Sequence, residues 1–260
     1  MTGAIAALPM YDWPAARRAN DRLWGAVRDR LRAAGVAAPE RLSRDVGLVE
    51  GWRHPGLVLG QTCGLPLVGA LAGRVTVVGA GDYRLPGCQP GWYRSAVVAR
   101  ADDGRTALAE FRGAVLAVNG FDSQSGWGSV RHHVAPLARE GRFFAAVTVT
   151  GAHVDSVEAV AAGRADLAAI DMVTWRHCLR HRPAARRLRV VLLTEPTPGL
   201  PYIAAPGAGA GPLAAALAAA IDGLAAADRE ELGLARFVPM AAADWGVVAG
   251  RQTAAAGLRW

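Results

Sequence analysis

Residues 151–171 have the sequence GAHVDSVEAVAAGRADLAAID and predict a helix followed by a buried strand. Val154–Ala162 forms the helix, and Gly163 stops it. The apolar run Leu167–Ile170 is short, as expected for a strand, and a second predicted helix, Met172–His181, follows it directly. This alternation of helix and strand predicts an α/β fold with a mostly parallel sheet.

The same alternation extends through the chain in both directions. We predict strands at Ala4–Pro9, Leu57–Gly60, Arg74–Val78, Tyr93–Ala99, Ala114–Val118, Phe144–Val149, Leu188–Leu193 and Tyr202–Ala205. The other predicted helices are Ala15–Ala34, Trp127–Arg139, Pro212–Ala226 and Asp228–Leu234, with a short piece near Ala241–Val247.

Two crossings, near Arg94–Arg100 and near Thr194–Ala205, would join two α/β lobes. We therefore predict a discontinuous first lobe of residues 1–95 and 202–260 and a second lobe of residues 96–201. The crossing strands would form a hinge, and the ligand cleft would lie between the lobes, where strand ends meet helix N-termini.

The composition excludes several kinds of site. The 29 basic residues are all arginine, and the chain contains no lysine, so a nucleotide-binding P-loop, a pyridoxal phosphate site and a protein kinase are excluded. No cofactor is expected. The arginines are scattered over predicted helices, which favours solvated faces over a nucleic-acid site. His177, Cys178 and His181 lie at helical spacing, and their basic surroundings favour a helix face over a metal site.

Two features bear on the compartment. The first residues lack the basic region of an export signal, so we expect a cytoplasmic chain or one trimmed of its leader. Cys63 and Cys88 each lie in a loop rich in Gly and Pro. They could form a disulfide, typical of an oxidising compartment, or remain two thiols, and spacing alone does not decide between these.

The loop between Val118 and Ser129, VNGFDSQSGWGS, joins a predicted strand to a predicted helix. Ser123, Ser125 and Gly126 lie where that helix begins, and Asn119 and Gln124 belong to the same loop. Backbone N–H groups at a helix N-terminus and serine hydroxyls favour a phosphoryl or sulfonyl anion. The alternative is an ordinary serine N-cap.

Four further segments supply candidate polar groups. Thr62, with Gln61 before it, ends a strand and could donate to a ligand or cap a helical turn. Tyr11 could donate to an oxyanion or lie in the core. His153, in the first turn of a helix, could donate to an anion or lie on the surface. Asp171 ends a strand, where it could bind a ligand amino group, cap the next helix, or do both.

Taken together, these segments resemble the phosphate, phosphite and phosphonate-binding proteins of bacterial ABC importers, which have the type II periplasmic binding-protein fold. The most specific matches are Ser123–Gly126, the block Gly151–Asp171 and the Gln61–Thr62 loop. The resemblance implies that Ser123, Ser125 and Gly126 hold phosphonate oxygens, that His153 matches the family's histidine, and that Asp171 binds an ammonium group. Tyr11 and Tyr93 match aromatic positions near the cleft. The resemblance also implies a periplasmic location.

The sequence thus predicts a binding protein without catalytic residues or a metal. It would capture a small anion, a phosphonate or phosphate, as a monomer, and deliver it to an ABC transporter permease. The alternative is an enzyme or sensor on the same fold, acting on a pyrimidine-like or other aromatic or cationic molecule. A catalytic group would then come from His153, Asp171 or Cys63. Trp13, Trp92, Trp127 and Trp175 could stack on such a ligand.

Overall fold

The computed structural model describes residues 3–259. Its strands are β1 (Ile5–Ala7), β2 (Leu57–Gln61), β3 (Thr76–Asp82), β4 (Trp92–Tyr93), β5 (Ser95–Arg100), β6 (Val115–Val118), β7 (Ala146–Val149), β8 (Leu167–Asp171), β9 (Leu188–Leu193), β10 (Thr197–Pro198), β11 (Pro201–Ala204) and β12 (Arg236–Pro239). Its α-helices are α1 (Arg17–Ala33), α2 (Leu48–Trp52), α3 (Gly64–Val68), α4 (Ser129–Val134), α5 (His153–Ala161), α6 (Met172–His181), α7 (Ala210–Asp222), α8 (Ala226–Leu232) and α9 (Gly246–Ala254).

The first lobe contains a five-stranded sheet in the order β1-β2-β11-β3-β12. Strands β1 and β2 are parallel, whereas β11 is antiparallel to β2 and β3, and β12 is antiparallel to β3. The prediction of a mostly parallel sheet is therefore wrong for β11 and β12, the two strands that follow the second lobe in the sequence. Strand β12 was not predicted, because it is short, half-exposed and begins with an arginine.

The second lobe contains a five-stranded sheet in the order β7-β6-β8-β5-β9. Strands β7, β6 and β8 are parallel neighbours, and β5 runs antiparallel to both β8 and β9. Two apolar cores hold this sheet, one containing Val157, Val160 and Ile170 and the other containing Phe111 and Val130. The carboxyl ends of β7, β6 and β8 consequently share one edge, where ligands of α/β sheets bind.

The chain divides into two compact units near the predicted boundaries. One consists of the chain up to Trp92 with Pro198–Trp245, and the other of Tyr93–Thr197 with the segment from Gly246 onward. Short strands β4 and β10 pair where the chain passes between the units. The assignment of all of residues 202–260 to the first lobe is wrong at its C-terminal end, so there is a third passage, at Trp245–Gly246.

Tertiary contacts explain that third passage. Arg131 of α4 donates to the Gln252 side chain over 3.0 Å and to the Ala255 carbonyl over 2.8 Å. Ala255 and Leu258 are buried in the second lobe's core. No pattern within residues 246–259 specifies which sheet the helix covers, so the sequence could not predict its lobe.

Local structure differs from the sequence-based expectation at two further places, and a third observation bears on the cysteines. The predicted helix Trp127–Arg139 is a π-helix at Gln124–Gly128, then α4, then a 3-10 turn at Ala135–Leu137 that contains Pro136. Asp12, whose residue type favours helix N-caps, instead accepts hydrogen bonds from Arg44 and Asn20, and Ala16 is the N-cap residue of α1. Cys63 and Cys88 are thiols in this structure, so it gives the disulfide alternative no support.

No single helix within residues 3–259 has both the length and the apolar character needed to cross a membrane; by length and composition alone, α7 and α8 together would qualify, although a 113° bend separates them.

Candidate ligand-binding site

The loop after β6 ends in the π-helix, and Ser123 is its N-cap. The Ser123 hydroxyl oxygen accepts a hydrogen bond from the Gly126 backbone N–H at 3.0 Å. The N-cap interpretation is therefore confirmed. Ser123 and Ser125 are both buried, and their hydroxyl oxygens are 3.4 Å apart. The turn thus brings two neutral hydroxyl groups together at a helix N-terminus, where an anion is favoured.

Gly126 packs closely against the Asn119 side chain. A Cβ atom at position 126 would lie 1.9 Å from Asn119 Oδ1, which is far inside van der Waals contact. Asn119 Oδ1 itself is buried and has no hydrogen-bond partner among the residues described. Gln124 is buried in the same turn. Asn119 and Gly126 therefore fit together as a unit that shapes the loop.

His153, the first residue of α5, joins the serines. Its Nε2 lies 2.8 Å from the Ser125 hydroxyl oxygen, because β6 and β7 are parallel neighbours and the segments after them meet at the same edge. Only 11% of the His153 side chain is exposed, so the surface interpretation is wrong. Burial lowers the pKa of His153, against the opposing effects of Asp171 and the Ala169 carbonyl, so the ring is neutral near pH 7.

Asp171 ends β8 and caps α6. Its Oδ1 accepts from the backbone N–H groups of Val173 at 2.9 Å and Thr174 at 3.0 Å, and its Oδ2 accepts from the Thr174 hydroxyl at 2.5 Å. The predicted N-cap role is confirmed. Oδ2 also lies 3.8 Å from His153 Nε2. Asp171 therefore places a buried negative charge beside the Ser125–His153 pair.

A second set of polar groups lies in the first lobe, at the carboxyl end of β2. Thr62 Oγ1 and Gln61 Nε2 are buried and have no hydrogen-bond partner among the described residues. The residue at the N-cap of α3 is Cys63, so the cap interpretation of Thr62 is wrong. Buried donors are rarely left unsatisfied, and each such case requires an explanation.

The two predicted tyrosines are buried in different lobes. Tyr11 lies in the first lobe, with its ring centroid 5.3 Å from that of Tyr83 in an edge-to-face arrangement. It is therefore part of an aromatic cluster, as the core interpretation predicted. Tyr93 is buried in β4, where the chain enters the second lobe.

A comparison with protein families identifies the group to which these features belong. Residues 75–245, more than half of the chain, match the model of the periplasmic substrate-binding proteins of phosphonate ABC transporters. The chain belongs to this family. It is a solute-binding protein that captures a small anion for an ABC transporter. No curated protein matches the sequence.

Solved structures confirm the two-lobed fold of this phosphonate-binding family. PhnD1 of Prochlorococcus marinus, in complex with methylphosphonate, aligns at 14% identity over 99% of this chain and 100% of its own, with a TM-score of 0.75. A binding component of a Pseudomonas aeruginosa phosphonate transporter aligns at 15% identity over 98% and 87% of the two chains, with a TM-score of 0.72. A Xanthomonas citri protein bound to ATP aligns at 16% identity over 98% of both chains, also with a TM-score of 0.72.

Two further serines in this phosphonate-binding protein were missed by sequence reasoning. The Ser95 hydroxyl donates to the Ser125 carbonyl over 2.9 Å, and the Ser129 hydroxyl donates to the same carbonyl over 2.6 Å. They fix the backbone of the turn that carries Ser125. Ser129, four residues after Ser125, could have been found from helical spacing, whereas Ser95 comes from a distant strand and gave no local signal.

The cluster of Ser125, His153 and Asp171 lacks the geometry of a hydrolytic triad. In such a triad the carboxylate holds one ring nitrogen while the hydroxyl contacts the other. Here the Ser125 hydroxyl and the Asp171 carboxylate both approach Nε2. Asp171 therefore cannot orient the imidazole as a base toward Ser125. The arrangement suits recognition of a ligand by hydrogen bonds.

Proposed function

We propose that this protein binds a small phosphonate and that Ser123, Ser125, Gly126 and His153 hold its phosphonyl oxygens. The contact between Ser125 and His153 carries the proposal, because it joins two polar side chains from the segments that follow the neighbouring parallel strands β6 and β7. An anion loses its hydration shell when it enters a buried site. Neutral hydroxyl groups, an imidazole and a helix N-terminus can replace the lost hydrogen bonds.

Gln61 and Thr62 would supply the first lobe's donors, since their buried polar atoms have no other described partner. Tyr11 and Tyr93 would contribute aromatic surface to the ligand's organic group. Asn119 and Gln124 would act through the shape of the serine loop. Asp171 would attract an ammonium group, and this favours an aminoalkyl phosphonate over inorganic phosphate.

The protein would do no chemistry on its ligand. Ser125 and Asp171 both approach Nε2 of His153, and this supports the absence of chemistry, because a general base needs a separate group to orient it. We propose that it works as a monomer in the periplasm and delivers the ligand to an ABC transporter permease. The family match supports the location and the transporter partner.

The proposal is tested with purified protein and a panel of phosphate, methylphosphonate, 2-aminoethylphosphonate, methanesulfonate and thiamine precursors. Ligand at a hundred times its dissociation constant adds about 2.7 kcal/mol of stability. For a chain of this size, this corresponds to a rise in melting temperature of roughly 5 °C or more. We expect a phosphonate to give this rise and to be recovered intact.

Matched serine variants test the site itself. Ser125→Ala should weaken phosphonate binding at least about tenfold, the effect of one lost hydrogen bond to a charged ligand. Ser156→Ala is the control, because its hydroxyl is also buried in the second lobe but bonds Thr150 Oγ1 at 2.7 Å. It should lower stability and leave affinity unchanged. A flat thermal response to every phosphonate, or consumption of the ligand, would contradict the proposal.

A further inference from the structure

A backbone hydrogen bond joins α4 to the segment of residues 194–196, which connects β9 to β10 where the chain passes out of the second lobe. In this linking segment, the Glu195 N–H donates to Nε2 of His133 over 3.0 Å. Because a backbone N–H can only donate, Nε2 is the acceptor, and the proton of the neutral ring lies on Nδ1. A protonated imidazole has a donor at both nitrogens. The bond therefore exists only while His133 is neutral.

The other N–H groups of the linking segment do not depend on a titratable side chain. The Thr194 N–H donates to the Ser95 carbonyl over 2.9 Å, and the Ser95 N–H donates to Thr194 Oγ1 over 2.9 Å. Pro196 has no N–H to donate. Glu195 is thus the position at which protonation of a side chain can change how the backbone of this segment is held.

The side chain of Glu195 has partners of its own. Its Oε2 lies 2.8 Å from the Arg251 guanidinium on α9 and 3.4 Å from Nε2 of His132. Arg251 also donates to the Pro196 carbonyl over 3.0 Å. Protonation of His133 therefore removes the backbone bond alone, while Arg251 keeps its contacts with the linking segment.

The charges around His133 favour its neutral form. The elements packed against α4 are the π-helix Gln124–Gly128 and the 3-10 helix Ala135–Leu137, which contain no titratable residue, and α9. The titratable and charged groups near the ring are Arg131 and His132 on α4, Arg251 on α9, Glu195, and Arg94 from the residue that follows β4. Burial is the largest effect that lowers the pKa of His133, and His132, Arg251 and Arg94 lower it further, against Glu195.

We propose that His133 is a pH-dependent anchor for the linking segment: the neutral ring holds the Glu195 N–H, and the protonated ring releases it. Helix α4 begins at Ser129, whose hydroxyl bonds the Ser125 carbonyl, so the anchor connects the helix that follows the serine turn to the linking segment. Acid would loosen this connection without unfolding the lobe, because the Arg251 contacts remain. The anchor does not depend on which ligand the protein binds.

The test is NMR of the intact, isotope-labelled protein without ligand. At neutral pH, the signals of the ring nitrogens should show that Nε2 of His133 carries no proton. Amide hydrogen exchange of Glu195 is then followed across the titration of this ring. Its protection factor, which corrects for the intrinsic pH dependence of exchange, should fall about tenfold as the ring becomes protonated, because one hydrogen bond is lost.

Variants separate the anchor from a general effect of acid. In His133→Gln, the amide oxygen can accept the Glu195 N–H but does not titrate, so the protection should persist at low pH. His133→Ala should lose the protection at every pH. His132→Gln is the control, because its ring approaches the Glu195 carboxylate and not the backbone, and it should keep the fall in protection.

Three results would overturn the anchor. These are a proton on Nε2 of His133 at neutral pH, wild-type protection that stays constant while the ring titrates, and an equal fall of protection in His133→Gln. All three would leave the proposed phosphonate binding untouched, since no ligand is present in these measurements.

Discussion

Asp171 combines two roles in a single side chain. It satisfies three donors at the start of α6, and its charge lies beside the ring of His153. The first role is structural, and a neutral side chain could fill it, because asparagine is as good an N-cap as aspartate. The second role depends on charge. The two can therefore be separated by changing the charge and keeping the shape.

Asp171→Asn should leave α6 capped and the melting temperature of the unliganded protein nearly unchanged. The affinity for 2-aminoethylphosphonate should fall about tenfold, because its ammonium group loses a charged partner. The affinity for methylphosphonate should stay constant or rise, because a buried negative charge is removed. Titration of both ligands measures the contrast.

Asp155→Asn is the control, since Asp155 is exposed on the first turn of α5. An equal loss of affinity for both phosphonates would show that Asp171 acts only through structure, and no loss for the amine would exclude it as the ammonium partner.

At the scale of elements, a charged junction joins three segments of the second lobe. Arg105 contacts Asp103 Oδ2 at 2.6 Å and Asp166 Oδ1 at 2.9 Å, and Asp166 Oδ2 accepts from the Val115 backbone N–H at 2.8 Å. The junction thereby ties the loop after β5 to the starts of β6 and β8. The hydrogen bond from Arg105 lowers the pKa of Asp103 to about 2, from an ordinary value of 3.8.

This shift predicts acid sensitivity with a definite sign. Because the folded pKa lies below the unfolded one, the contribution of Asp103 to stability is complete above about pH 4 and is lost as the pH falls toward 2. Asp103→Asn should therefore lower the urea midpoint at pH 6, and the difference from wild type should shrink below pH 4. Asp102→Asn is the control, since 85% of that side chain is exposed. A difference that does not depend on pH would contradict the assignment.

At the scale of the whole molecule, the chain passes three times between its two units, and β4 and β10 pair where two of the passages lie. Proteins of this architecture commonly respond to ligand by hinge motion. We expect methylphosphonate to reduce the radius of gyration measured by small-angle X-ray scattering, with the ligand unchanged afterwards. Ser125→Ala protein at the same ligand concentration should respond less. Saturated binding without any change in the radius would contradict hinge closure.

The sequence by itself determined the features that depend on neighbouring residues. Apolar runs between Gly and Pro signals located most strands, and the match was complete for β9 and α6. Helix α1 ends at Ala33, one residue before the predicted end, and Gly35, which has a positive φ of 77°, follows it. Ser123 and Asp171 were predicted as helix caps for the same reason, because a cap bonds to N–H groups two or three residues away.

Only the tertiary structure decided the features that join distant segments. The Ser125–His153 contact spans 28 residues, and the Ser95 contact to the same turn spans 30. The available sheet edges and faces determine the directions of β11 and β12 and the lobe to which α9 belongs. Local periodicity cannot predict that choice, because a strand or helix has the same apolar pattern whichever distant sheet it packs against.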